Sequence, residues 1–132
     1  MNAKDVDLFE KVRGQLKELH NEIAILSKAK PDNPVNKFKL KFINEKLGDA
    51  NAVLADSFKP LKGFTLFADD SLPSNSDVVM ILSQYLDALE SWRCAHIHRL
   101  DYKGWVWNVD DRDIDTSNPT RFIEGQEGSE DD

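Results

Sequence analysis

Apolar residues recur at alternating steps of three and four in three separate stretches of this chain. That spacing constrains the fold more than any other feature, because it suits one face of an α-helix and no face of a strand. In the first stretch the stripe is Phe9, Val12, Leu16, Leu19, Ile23 and Leu26. Gly14 interrupts it at a cost of about 1 kcal/mol, and Pro31 and Pro34 stop it. The spacing predicts a helix from about Lys4 to Lys28.

A second stripe runs through Leu40, Ile43, Leu47, Ala50 and Leu54, with Phe38 and Phe42 widening it and lysines on the other faces. Asn33-Pro34, an N-cap type followed by proline, predicts its start, and its end falls near Ala55. The third stripe is Val78, Leu82, Tyr85, Leu89, Trp92 and His96. Ser74 to Asp77 has the form of a capping box with Asp in place of Glu, so this helix starts there and runs to about His98. At 1.5 Å per residue each helix is roughly 30–40 Å long.

Between the second and third helices lie residues 56–73, a connection unusually long for a compact domain. It holds Phe58, Leu61, Phe64, Leu66, Phe67 and Leu72, so it is expected to drape over the bundle, with 64–67 as a short strand. Gly104 to Val109 alternates and carries aromatics, which predicts a second strand. It would pair with 64–67 or with another chain. The expected fold class is all-α: an antiparallel bundle of three long helices, a small C-terminal β element and a disordered acidic tail. Residues 1–123 form the single helical domain and 124–132 the tail.

Charge is segregated. The net charge of −7 resides in residues 101–132, which hold three bases and ten acids, while 1–100 sum to zero. Residues 28–62 are locally basic, with eight lysines against four acids. The acid excess makes general nucleic-acid binding unlikely. No uncharged run approaches the roughly 20 residues of a membrane span, and no signal-type leader opens the chain. A lone cysteine, Cys94, allows no internal disulfide, which favours a cytoplasmic setting.

Catalytic patterns are sparse. His96 and His98 point about 200° apart if helical and cannot share a metal ion. His20 faces away from Glu18 and Glu22, and neither Glu45 with Asp49 nor Asp87 with Glu90 has a matching acidic cluster on helix one. Asp111 to Asp115 opens like a calcium loop, but Thr116 stands where glycine is needed and Phe122 where the bidentate Glu belongs. Cys94 sits at the negative end of a helix, a poor setting for a thiolate nucleophile. Neither metal nor cofactor is expected.

Arg93 and His98, with four residues between them, resemble the Arg-x(4–6)-His signature of HEPN ribonuclease domains, which are small and all-α. The resemblance implies metal-independent RNA cleavage, with Arg93 stabilising charge and His98 moving a proton. Cys94 stands where that family usually has a polar residue. On an unbroken helix the pair would diverge by about 140°, so the pair meets only if the helix breaks between them. Otherwise Arg93 and Arg99 are expected to be solvated at a helix C-terminus.

Trp92, Trp105 and Trp107 cluster in sequence beside an aspartate-rich turn. Packed inward they belong to a core; turned outward they form a partner-facing patch, since Trp and Tyr dominate binding hot spots. The leading expectation is a non-enzymatic, cytoplasmic protein-binding regulator of the inhibitor, antitoxin or immunity type. Its partner surface would be Tyr102, Trp105, Trp107, Asp110, Asp111 and Asp113. Three stripes of this width also suit self-association into a homo-oligomer.

Overall fold

The structure is a computed structural model that describes residues 1–110 and 112–121. Three helices, α1 (Ala3–Ala29), α2 (Lys37–Phe58) and α3 (Asn75–Ala95), precede a hairpin of β1 (Ile97–Leu100) and β2 (Gly104–Trp107). Each helix starts where a side chain satisfies its first amides. Asn2 and Asp5 form a reciprocal capping box on α1. Asn36 caps α2 through the Lys39 amide, and Ser74 caps α3 through the Asp77 amide. The second helix thus begins after Asn36 rather than at Asn33-Pro34, because Val35 is drawn inward and its amide donates to the Pro73 carbonyl.

The stripes fill the core. Phe9, Val12, Leu16 and Ile23 from α1 meet Leu40, Ile43, Leu47, Ala50 and Leu54 from α2 and Val78, Leu82, Tyr85, Leu89 and Trp92 from α3. Each Val, Leu, Ile or Phe side chain removed from water contributes about 1.5–3 kcal/mol. Phe38 and Phe42 do not widen the stripe; both are exposed and pack edge to face on each other, ring centroids 5.0 Å apart.

Helix α1 runs antiparallel to both other helices. Phe9 stacks on Trp92 at 5.2 Å, Arg13 reaches Glu90 at 3.3 Å, and His20 meets Ser83 at 2.9 Å, so rising numbers on α1 face falling numbers on α3. Likewise Lys39 pairs with Glu22 across α1 and α2. Helices α2 and α3 descend side by side: their starts are joined by the Pro34–Ser74 bridge and their ends by the Phe58 and His96 rings. The long connection therefore has a physical cause. Residues 59–74 must climb back along a 22-residue helix, about 33 Å.

That crossover is held by α2 side chains rather than by a strand ladder. The Asn44 amide donates to the Phe67 carbonyl and accepts from the Phe67 amide, both at 3.0 Å. Two turns on, Asn51 donates to the Thr65 carbonyl and accepts from the Tyr85 hydroxyl. Burial pushes the Tyr85 phenol up, partly countered by that bond. The 64–67 strand expected from sequence is thus replaced by extended backbone docked on asparagines, with Phe64 and Phe67 turned towards the core. Ala55, at φ 53 and ψ −166, breaks α2 near the predicted end. A side chain there is strained by about 1–3 kcal/mol.

Helix α3 also stops earlier than the periodicity predicts. It ends at Ala95, and 97–100 form β1 antiparallel to β2, with Ile97 opposite Trp107 and Leu100 opposite Gly104. Gly104, at φ 92, provides the left-handed turn residue the short connection requires. The strand predicted at 104–109 is present as 104–107, paired with 97–100 rather than with 64–67. The acidic tail, 124–132, lies outside the described residues. No helix among those described is long and apolar enough to cross a membrane.

Candidate functional site

The chemistry-bearing residues gather where α3 gives way to the hairpin. Glu90 and Arg93 lie one turn apart, so their side chains meet. Arg93 is not solvated, as its helix-end position suggested; it is 1 % exposed. Its Nε and Nη2 donate to the Glu90 carboxylate at 2.9 and 2.7 Å. Nη1 donates to Thr116 Oγ1 and the Ser117 carbonyl, and Nη2 also donates to the Asn118 carbonyl. All five N–H groups of the guanidinium are therefore engaged within the chain.

Glu90 collects the opposite charges. Besides Arg93 it accepts from Arg13 at 3.3 Å, from Thr120 at 2.7 Å and from the Cys94 thiol at 3.5 Å. Burial alone would raise its pKa, but the bonds from Arg93, Thr120 and Cys94, with the Arg93 charge, bring the carboxyl down to about 2. The same bonds to Glu90 push the Arg93 guanidinium up against its own burial. Arg121 continues the strap on α3, bonding Asp87 at 2.9 Å and Ser91 at 2.8 Å. The cluster fastens residues 116–121 to the bundle.

The ribonuclease-like pair is separated by this arrangement. The helix does break between Arg93 and His98, as that resemblance requires. However, His98 stands exposed on β1 and its Nδ1 bonds Asn108 at 2.6 Å, while Arg93 has no N–H left for a phosphate. His96 caps α3, stacks on Trp92 at 4.2 Å and bonds the Trp92 carbonyl through Nδ1. No group of three His, Cys, Asp or Glu residues that could hold a metal ion occurs among the described residues.

The aromatic residues divide. Trp107 is a core residue, 1 % exposed and edge-on to Phe9 at 5.1 Å, so it cannot meet a partner, and the partner surface expected from sequence loses it. Trp92 is buried beside it. Trp105 is half-buried on β2. Tyr102, at the hairpin tip, is 80 % exposed. Residues 114–116 lie along β2: the Trp107 amide donates to the Ile114 carbonyl and the Thr116 amide to the Trp105 carbonyl. That pairing brings Asp113 under Tyr102, whose hydroxyl donates to it at 3.4 Å, and Asp115 to Lys103 at 3.2 Å. Asp110 and Asp113 are exposed, and Asp111 lies outside the described residues.

Tyr102 and Asp113 thus meet at the exposed tip of the hairpin, while Trp105, on the same face of β2 as Trp107, packs partly against the core. Sequence reasoning missed the fastening residues Thr116, Ser117, Asn118 and Thr120, for which no local pattern exists; only the Glu90–Arg93 spacing could have drawn notice. No family model, curated protein or solved structure matches this chain, and its site stands on its own chemistry.

Proposed function

We propose that this chain is a non-enzymatic, cytoplasmic protein-binding regulator of the inhibitor, antitoxin or immunity type, and that it engages a basic partner through Tyr102, Asp110 and Asp113, with the accessible edge of the half-buried Trp105 beside them. The observation that carries the reading is the exposed Tyr102 ring set over Asp113 on a hairpin whose other face is buried in the bundle. A tyrosine beside carboxylates offers both apolar area and acceptors for Lys or Arg. Arg93, the residue a nuclease would need, is spent on holding the hairpin's C-terminal strap.

The test is affinity purification from the native host with mass spectrometry, comparing wild type with a Tyr102→Ala/Asp113→Lys double variant. The reading expects a protein retained by wild type and weakened by roughly 30-fold or more in the variant, the effect of losing one hot spot. Circular dichroism should show both proteins equally folded. Identical partner profiles would refute the assigned surface. Metal-independent RNA cleavage by purified protein, lost in His98→Ala, would refute the non-enzymatic reading.

A further inference from the structure

A cavity of about 590 Å³ opens between the first turns of α2 and the crossover. Lys37, Leu40, Lys41 and Asn44 line it from α2, and Leu66 and Asp69 line it from the crossover. Its size falls in the range of small-molecule sites, roughly 300–1,000 Å³. The start of α2 lies beside Ser74, whereas the hairpin follows the other end of α3, where Phe58 meets His96. The cavity is therefore independent of the surface proposed above.

Bonds already described fix its walls. The Asn44 side chain holds both the amide and the carbonyl of Phe67 at 3.0 Å, and Asn51 donates to the Thr65 carbonyl. Leu66 stands between these two pinned residues. Its side chain is 47 % exposed, while Leu40 is buried and closes the floor. The apolar part of the cavity is thus in place before any ligand arrives, which lowers the ordering cost of binding.

The α2 wall carries uncompensated charge. Lys37 and Lys41 lie one turn apart, so their ammonium groups share a face and repel. Lys39, Lys46, Lys59 and Lys103 each hold a carboxylate of this chain. Lys37 and Lys41 form no ion pair among the described residues. One anionic group set between them would offset their repulsion through charge-assisted bonds. Asp69, exposed on the crossover side, disfavours a second negative charge, so a polyanion such as a nucleic-acid backbone does not suit the cavity. We infer that the cavity binds a small amphipathic monoanion of the aliphatic carboxylate class. Its carboxylate lies on the Lys37–Lys41 side and its apolar body over Leu40 and Leu66, with Asp69 left in water at the rim.

Octanoate is the probe, followed by NMR at the methyl groups of the full chain. Saturable shifts at Leu40 and Leu66 are expected. Lys37→Gln/Lys41→Gln should weaken binding about 10-fold or more and keep the wild-type circular dichroism, since both side chains are exposed. Leu66→Gln should weaken it several-fold through loss of apolar contact. Octanol has the chain without the charge and inorganic phosphate the charge without the chain, and each should bind about 10-fold or more weaker than octanoate. No saturable shift by about 10 mM octanoate overturns the inference. So does octanol or phosphate binding as tightly as octanoate, or an affinity unchanged in the lysine variant. Shifts confined to methyl groups other than those of Leu40 and Leu66 would put the ligand elsewhere and overturn it as well.

Discussion

The two sides of this bundle are finished by opposite means. Where α3 faces the crossover and the C-terminal segment, buried or half-buried polar side chains hold backbone that has no ladder of its own: Asn44 and Asn51 on one side, Arg93 and Glu90 on the other. Where α1 faces α2, one ion pair among the described residues, Lys39–Glu22, spans the groove, and the apolar side chains of Ile25, Leu26, Phe38 and Phe42 are exposed near it. The contrast teaches what buried polar groups do in a small helical fold. Each is worth little as a net attraction but is costly to leave unmade, so it fixes where a loop must lie. A groove without such fasteners keeps its apolar surface available.

Breaking the strapped side should have the largest effect. Arg93→Ala leaves the Glu90 carboxylate short of its main partner and frees the Ser117 and Asn118 carbonyls, and is expected to cost about 3–5 kcal/mol. Urea unfolding would measure it; a loss under about 1 kcal/mol would remove the distinction drawn between the two sides. Acid probes the same clamp. Glu90 ionises well below its ordinary value of 4.5, so its contribution is complete above that pH and is lost as pH falls through about 2. Release of the 116–121 strap, followed by protease sensitivity, should fall in that window and should be absent from a Glu90→Gln variant, which is already weakened at neutral pH.

Asn44→Leu should have an intermediate effect, about 1–3 kcal/mol, because the Phe67 amide and carbonyl both lose their partner. Faster hydrogen exchange at Phe67 with unchanged exchange in α1 would localise the loss to the crossover. On the open side Phe38→Ser/Phe42→Ser should change stability by no more than about 0.5 kcal/mol. A larger loss would show that these rings support the bundle and would erase the comparison from the other direction.

Much of the helical part was legible because its signals are local. The stripe through Leu40, Ile43, Leu47, Ala50 and Leu54 is buried along its whole length. Ser74 caps α3 as its spacing to Asp77 predicts. The ends were less legible. His96 continues the helical stripe and predicts a helix to about His98, yet the chain leaves the helix at Ala95, because pairing Ile97 with Trp107 buries both. Phe38 and Phe42 show the opposite failure: hydrophobic residues next to a stripe read as core, but their direction on α2 turns them outward. At the candidate site Tyr102 and Asp113 were readable as residue types suited to binding. Their adjacency was not, since it depends on the pairing of 114–116 with β2.

What the sequence determined by itself is the number of helices, the faces they bury and most of their starts. These follow from periodicity and capping, which act within a few residues. Tertiary structure alone decided that α2 and α3 run the same way, that 59–74 is a crossover and that Arg93 is a clamp rather than a reactive group. It also decided which groove stays open. These outcomes depend on partners 14 to 45 residues apart, such as Asn51 with Thr65 and Asn75 with the Lys30 carbonyl. No local preference encodes such pairs; they form because buried donors and acceptors left unmatched would each cost more than the ordering that joins them.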